Sequence, residues 1–205
     1  GESMKGRLGY LAIILLIFCS ACSDQTKSSY QIVLDPGHGG EDVGATSVSG
    51  QHEKDFNLNL ALKVKEQLEQ DERITVFLTR EDDRYLALED RQSSNFAKNA
   101  DALISIHANA FDDSSVSGTE TFYYRKKSRT LAETIHNYLV EATGFNNRGV
   151  QQENFFVLKD NKIPAVLLEI GFLTNPEEAS DMFTESFQER VAEAIATGVQ
   201  AYLFD

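Results

Sequence analysis

Ile32-Val33-Leu34-Asp35-Pro36-Gly37-His38-Gly39-Gly40 is a short apolar run that breaks directly into a loop built around one histidine. A run of this length, closed by Pro and Gly, reads as a buried strand. Glycines on both sides of His38 let the chain turn sharply and keep the imidazole clear of neighbouring side chains. Two further runs end in the same manner: Ile104-Ser105-Ile106 passes into His107-Ala108-Asn109, and Val166-Leu167-Leu168 into Glu169-Ile170-Gly171. With Ile74–Leu78, Thr119–Tyr124 and Asn154–Leu158, the predicted strands number six.

Helical patterns separate these runs. Phe56, Leu60, Val64 and Leu68 recur at four-residue spacing, as do Leu131, Ile135 and Leu139. A third stripe, Phe187, Val191, Ile195 and Val199, has Glu185, Glu189 and Glu193 facing water. Asn175-Pro176-Glu177-Glu178 reads as a helix start, with a cap, a proline and acids at the positive dipole end. A helix is also expected over Glu89–Ala100. The alternation predicts a single α/β domain: a six-stranded, mostly parallel or mixed sheet with helices on both faces. In such sheets ligands gather beyond the carboxyl ends of the strands, so polar residues directly after an apolar run are the candidates.

Composition narrows the function. The chain has 205 residues, 41% apolar and 25% charged, which supports a packed core and excludes disorder. Its 19 basic against 32 acidic residues leave a formal charge of −13, which argues against nucleic acid or an anionic membrane face as the main partner. Cys19 and Cys22 are the two cysteines, so no disulfide scaffold holds the domain.

Both cysteines close an export-like segment. Lys5 and Arg7 precede an apolar run from Leu8 to Phe18, about half the ~20 residues needed to span a bilayer. Residues 1–22 are therefore expected to be an export signal and 23–29 a short tether. Residues 30–205 would form the domain. The small residues before Cys22 resemble a bacterial lipoprotein signal, which implies lipidation of Cys22, a membrane anchor and an extracytoplasmic location.

Two imidazoles and a carboxylate suffice to hold a catalytic zinc with one position left for water, and a second carboxylate would serve as general base. His38 and His107 supply the imidazoles. Glu169, leaving a hydrophobic strand, would be desolvated and its pKa raised, against the pull of a nearby cation. Glu53-Lys54 opens the first helix, where Glu53 alone would simply favour the helix N-terminus. His52 and His136 read as solvent-facing, although His52 is close enough to Glu53 to be a rival ligand. Arg91 is either a structural ion pair or a substrate contact. The glycine loop lacks a third fingerprint glycine or a following Lys-Ser/Thr, and Glu41 and Asp42 would repel a pyrophosphate. A Ser105–His107 pair lacks any nucleophile-elbow pattern.

Taken together, Leu34 through Ala45, Glu53-Lys54, Ser105 through Ala110 and Leu168-Glu169-Ile170-Gly171-Phe172-Leu173-Thr174-Asn175 resemble the zinc-dependent N-acetylmuramoyl-L-alanine amidases, type 3. These are bacterial cell-wall hydrolases, and the similarity runs from about Gln31 to Leu203. The resemblance implies one Zn2+ per chain on His38, Glu53 and His107, with Glu169 as the catalytic carboxylate. Asn109 and Arg91 would be candidate neighbours of the substrate or the ligands. The substrate would be peptidoglycan, cut between N-acetylmuramic acid and L-alanine. Some relatives carry a cleft-plugging helical insertion after the His107 motif, for which Thr119 to Gln151 leaves no room. The rival readings are a zinc peptidase or deacetylase on another wall bond, and a non-catalytic wall-binding lipoprotein.

Overall fold

A computed structural model of the protein describes residues 29–93, 99–159 and 161–204. The expected export signal, including Cys22, lies outside the described residues. So does part of the helix expected over Glu89–Ala100. Among the described residues no helix is long and apolar enough to cross a membrane.

The six strands are β1 (Tyr30–Pro36), β2 (Ile74–Leu78), β3 (Ala102–Asn109), β4 (Thr119–Tyr123), β5 (Asn147–Gln152) and β6 (Ala165–Phe172). They form one sheet in the order β2-β1-β3-β6-β4-β5. Every pairing is parallel except β4 with β6. The helices are α1 (Glu53–Leu68), α2 (Leu88–Ser93), α3 (Arg129–Thr143), α4 (Phe156–Lys159), α5 (Pro176–Met182) and α6 (Glu185–Phe204).

Side-chain alternation along the strands divides the core in two. Ile32, Leu34, Ile104, Ile106, Val166 and Leu168 face the three long helices, whose stripes at Phe56, Leu60, Leu131, Ile135, Val191 and Ile195 are fully buried. Val33, Leu103, Phe122, Ala165 and Leu167 face the other way, onto Val157 and Leu158 of α4. Both faces thus carry helices, but unequally: the second is covered by the short α2 and α4. The functional residues open on this thinly covered face.

Two expectations need correction, the strand at Asn154–Leu158 and the solvent-facing His136. The run Asn154–Leu158 is not a strand. Its Phe156–Lys159 portion makes the single helical turn α4, and the strand lies at Asn147–Gln152, a polar edge with mostly exposed residues. The helix expected over Glu89–Ala100 is α2, described as Leu88–Ser93. His136 is buried rather than solvent-facing, bonded through Nδ1 to Thr121 at 3.0 Å and through Nε2 to Asn147 at 2.9 Å. Asn175 does cap α5, accepting from the Glu177 and Glu178 amides. Glu178, however, turns inward and accepts from the Gly118 and Phe172 amides at 2.7 Å.

Both ends of the described domain meet at the rim opposite the strands' carboxyl ends. Tyr30, the first residue of β1, packs edge-on against Phe204 at 5.4 Å, and the Arg73 guanidinium lies over the same phenylalanine.

Candidate metal centre

His38 follows β1, Glu53 opens α1 and His107 lies near the carboxyl end of β3. One potential ligand atom from each lies within 4.8 Å of the other two. The Glu53 carboxylate sits between the rings, its Oε2 3.1 Å from His38 Nε2 and its Oε1 2.9 Å from His107 Nδ1. The Ala45 amide donates to Oε2 at 2.8 Å and the Ala108 amide to Oε1 at 3.2 Å. Asn57 Nδ2 adds a third donor at 3.2 Å. The carboxylate is therefore fixed from both sides. Two neutral imidazoles and one fixed carboxylate form a donor set that fits a divalent transition metal with room for water.

The loop carrying His38 is held by unusual means. His38 itself adopts φ 61°, a left-handed conformation that is strained for a residue with a side chain. Two buried arginines clamp the loop from below. Arg80, fully buried, donates to the Pro36, Gly37 and Lys54 carbonyls. Arg91 pairs with buried Asp35 at 2.8 Å and donates to the Pro36 and His38 carbonyls. The ion pair is thus present, and Arg91 supports the histidine loop while also lining the cleft. Burial alone would raise the Asp35 pKa, but Arg91, Thr79 and Ser105 together hold it below its ordinary value. Ser105 donates to Asp35 at 2.8 Å, so its hydroxyl belongs to this support rather than to a Ser–His pair.

Asp42 contributes what the sequence reading missed. Its carboxylate lies 2.8 Å from His38 Nδ1, an orientation that would hold Nδ1 as the donor and present Nε2 to a metal. Close packing needs glycine at two points. A Cβ on Gly37 would stand 2.1 Å from His107 Cε1, and one on Gly44, with φ +64°, 2.5 Å from Glu53 Oε2. His52 stays outside the cluster, its Nδ1 3.2 Å from the Thr46 hydroxyl.

Glu169 stands directly across the β3–β6 ladder from His107, and Glu120 directly across the β6–β4 ladder from Glu169. The Glu169 Oε2 is buried with no hydrogen-bond partner among the described residues. Burial, reinforced by the charges of Glu53 and Glu120, pushes its carboxyl well above the ordinary glutamate value. Glu53 goes the other way: burial opposes its ionisation, but the hydrogen bonds and charge of His107 and His38 outweigh it and keep its pKa low. Two acids at one site are thus driven apart, one fixed as anion and one able to carry a proton. Asn109 donates to Glu120 Oε2 at 3.0 Å.

A cleft of about 360 Å³ runs from the histidines over the second face. His38, Asp42, Arg91 and His107 line its floor, with Tyr85, Leu88 and Phe155 exposed along its wall.

Comparison with known proteins agrees with this geometry. The catalytic domain of the N-acetylmuramoyl-L-alanine amidase CwlV from Bacillus (Paenibacillus) polymyxa var. colistinus superposes with TM-score 0.83 at 43% identity, over 85% of this chain and 98% of that one. The CwlD amidase of Clostridioides difficile, solved in complex with the GerS lipoprotein, gives TM-score 0.80 at 38% identity, over 85% and 98%. The probable cell wall amidase LytH of Staphylococcus saprophyticus is 40% identical over 174 residues, 83% of this chain but 57% of that protein. The chain therefore spans little more than half of that relative. The N-acetylmuramoyl-L-alanine amidase family model matches residues 32–201, and the chain belongs to that family.

Proposed function

We propose that this chain is a zinc-dependent N-acetylmuramoyl-L-alanine amidase that acts outside the cytoplasm on peptidoglycan. The observation that carries this reading is the convergence of His38, Glu53 and His107 beside a buried Glu169 with an uncommitted oxygen. His38, Glu53 and His107 would hold the ion. Zinc bound there supplies a Lewis acid for the scissile carbonyl and brings a water to a pKa of about 7.

The remaining work falls to the protein. Glu169 Oε2 takes the proton of the attacking water and hands it to the amine that leaves as the free α-amino group of L-alanine. Burial pushes its carboxyl up, against the pull of the cation it would face. Asp42 keeps the His38 ring in register, and the backbone amides of Ala45 and Ala108 stop Glu53 from rotating.

Anchoring through lipid on Cys22 completes the reading, on the strength of the lipoprotein-like segment that ends there. Catalysis is tested by digesting purified peptidoglycan and identifying the products by mass spectrometry. Intact stem peptides beginning with L-Ala, zinc at one per chain, and loss of product in Glu169→Ala are expected. Cleavage inside the peptide, or deacetylated sugars, would replace the amidase by one of its rivals. Anchoring is tested by a Cys22→Ser protein, which should leave the membrane fraction.

A further inference from the structure

The site has a direction. Along the sheet, the functional positions follow strand order: His38 after β1, His107 on β3, Glu169 on β6, Glu120 on β4 and Arg148 on β5. Tyr85 and Leu88 of the apolar cleft lie on the His38 side, while Phe155 closes it from the other side, packed against Phe122 of β4. Beyond Glu169 on β6 follow Glu120 on β4 and Arg148 on β5. Glu169 must approach the nitrogen that it protonates, so the amine half of the substrate lies toward β4 and β5.

Arg148 is the cation in that direction, and it is unusually well prepared. Its Nε donates to Glu120, a carboxylate only 5% exposed whose other oxygen is taken by Asn109. Its guanidinium carbon stands 5.2 Å from the centre of the Phe172 ring. The side chain is nevertheless 39% exposed, and neither terminal nitrogen has a hydrogen bond among the described residues. A guanidinium fastened at Nε and open at both terminal nitrogens offers the planar fork that fits a carboxylate. Glu120 and Glu169 of the sheet and Glu178 of α5 are acidic, which leaves Arg148 as the cation that an anionic substrate group would meet on this side.

We propose that Arg148 is a specificity-determining residue that binds a carboxylate of the leaving peptide, next to its newly freed amine. The inference rests on the amidase reading, because that reading decides which side of Glu169 the peptide occupies. It adds a preference: muramoyl peptides with a free carboxylate close to the scissile amide are cut better than the same peptides with that group amidated.

The test uses the zinc-loaded full chain and two synthetic muramoyl-L-alanyl peptides, one with a free α-carboxylate on the second residue and one with the carboxamide. The wild type should favour the carboxylate by about 10- to 100-fold in kcat/KM, carried by KM. In Arg148→Gln the ratio between the two substrates should collapse toward one. Arg148→Lys, which keeps the charge beside Glu120 but loses the fork, should retain part of it. Equal rates on both substrates in the wild type overturn the proposal without needing any variant to fold. An equal loss on both substrates in Arg148→Gln also overturns it, since that marks a purely structural arginine. Cleavage of neither substrate by the wild type overturns the amidase reading, and this proposal with it.

Discussion

Asp42 and His38 are joined four residues apart, carboxylate to Nδ1 at 2.8 Å, across a loop whose backbone is left-handed at the histidine. The aspartate thus decides which ring nitrogen faces Glu53. Asp42→Ala should weaken zinc binding about 10- to 100-fold while leaving the fold intact. Competition with a chromogenic chelator reads the affinity directly. An unchanged constant would show that the loop alone orients the ring.

The Arg91–Asp35 pair is almost fully enclosed, with 4% and 1% of the side chains exposed. Removing one partner strands the other without solvent, so Arg91→Met should cost about 3–5 kcal/mol. Urea unfolding provides the measurement. Arg129→Ala, which breaks the exposed pair with Glu133, should leave the midpoint where it was.

Glu169 gives a stability effect opposite in sign to that of most acids. Its folded-state pKa lies above its unfolded value, so the folded chain holds the proton more tightly. The stability linked to it is complete at low pH and is lost as pH rises through the folded pKa. Metal-free Glu169→Gln should therefore melt higher than wild type at about pH 8, by roughly 2–4 °C for each kcal/mol recovered, and the difference should close on acidification. The same variant should be inactive when loaded with zinc. A lower melting temperature at alkaline pH would mean that the carboxylate is paired in solution.

Gly37 has an ordinary backbone conformation, so alanine there is opposed by space alone. Its Cβ would overlap the His107 ring. Gly37→Ala should cost about 1–3 kcal/mol and displace the imidazole from the other two ligands. Zinc content after dialysis, compared with wild type, tests this; full retention would mean that the ring can retreat without leaving the site.

The elements with dense local signals were legible in the sequence. Stripes such as Phe56, Leu60, Val64 and Leu68 are helix faces because four-residue spacing admits one geometry, and all four are fully buried. The strand ends before His38, His107 and Glu169 were legible for a related reason, since buried parallel strands are unbroken apolar runs. Strand β5 was not. Asn147-Arg148-Gly149-Val150-Gln151-Gln152 is an edge segment that buries little, and edge strands need no apolar run. The nearby Phe155 to Leu158 run drew the strand assignment because a short apolar run does not distinguish a strand from one helical turn.

The supporting residues were harder to see for another reason. Arg80, Glu120 and Arg148 act through partners tens of residues away, and cross-strand register leaves no trace in local spacing. His136 lies one position round the helix from Ile135, on the margin of a buried stripe wider than the four-residue spacing suggests.

The meeting of Tyr30 with Phe204 places the start of the first strand and the end of the last helix side by side, a full strand length from the histidines. Any leash, tag or surface coupled at either end therefore grips the molecule by its back. Immobilised through that end, the enzyme would hold its working mouth outward, and neighbours packed along the same support would not obstruct it.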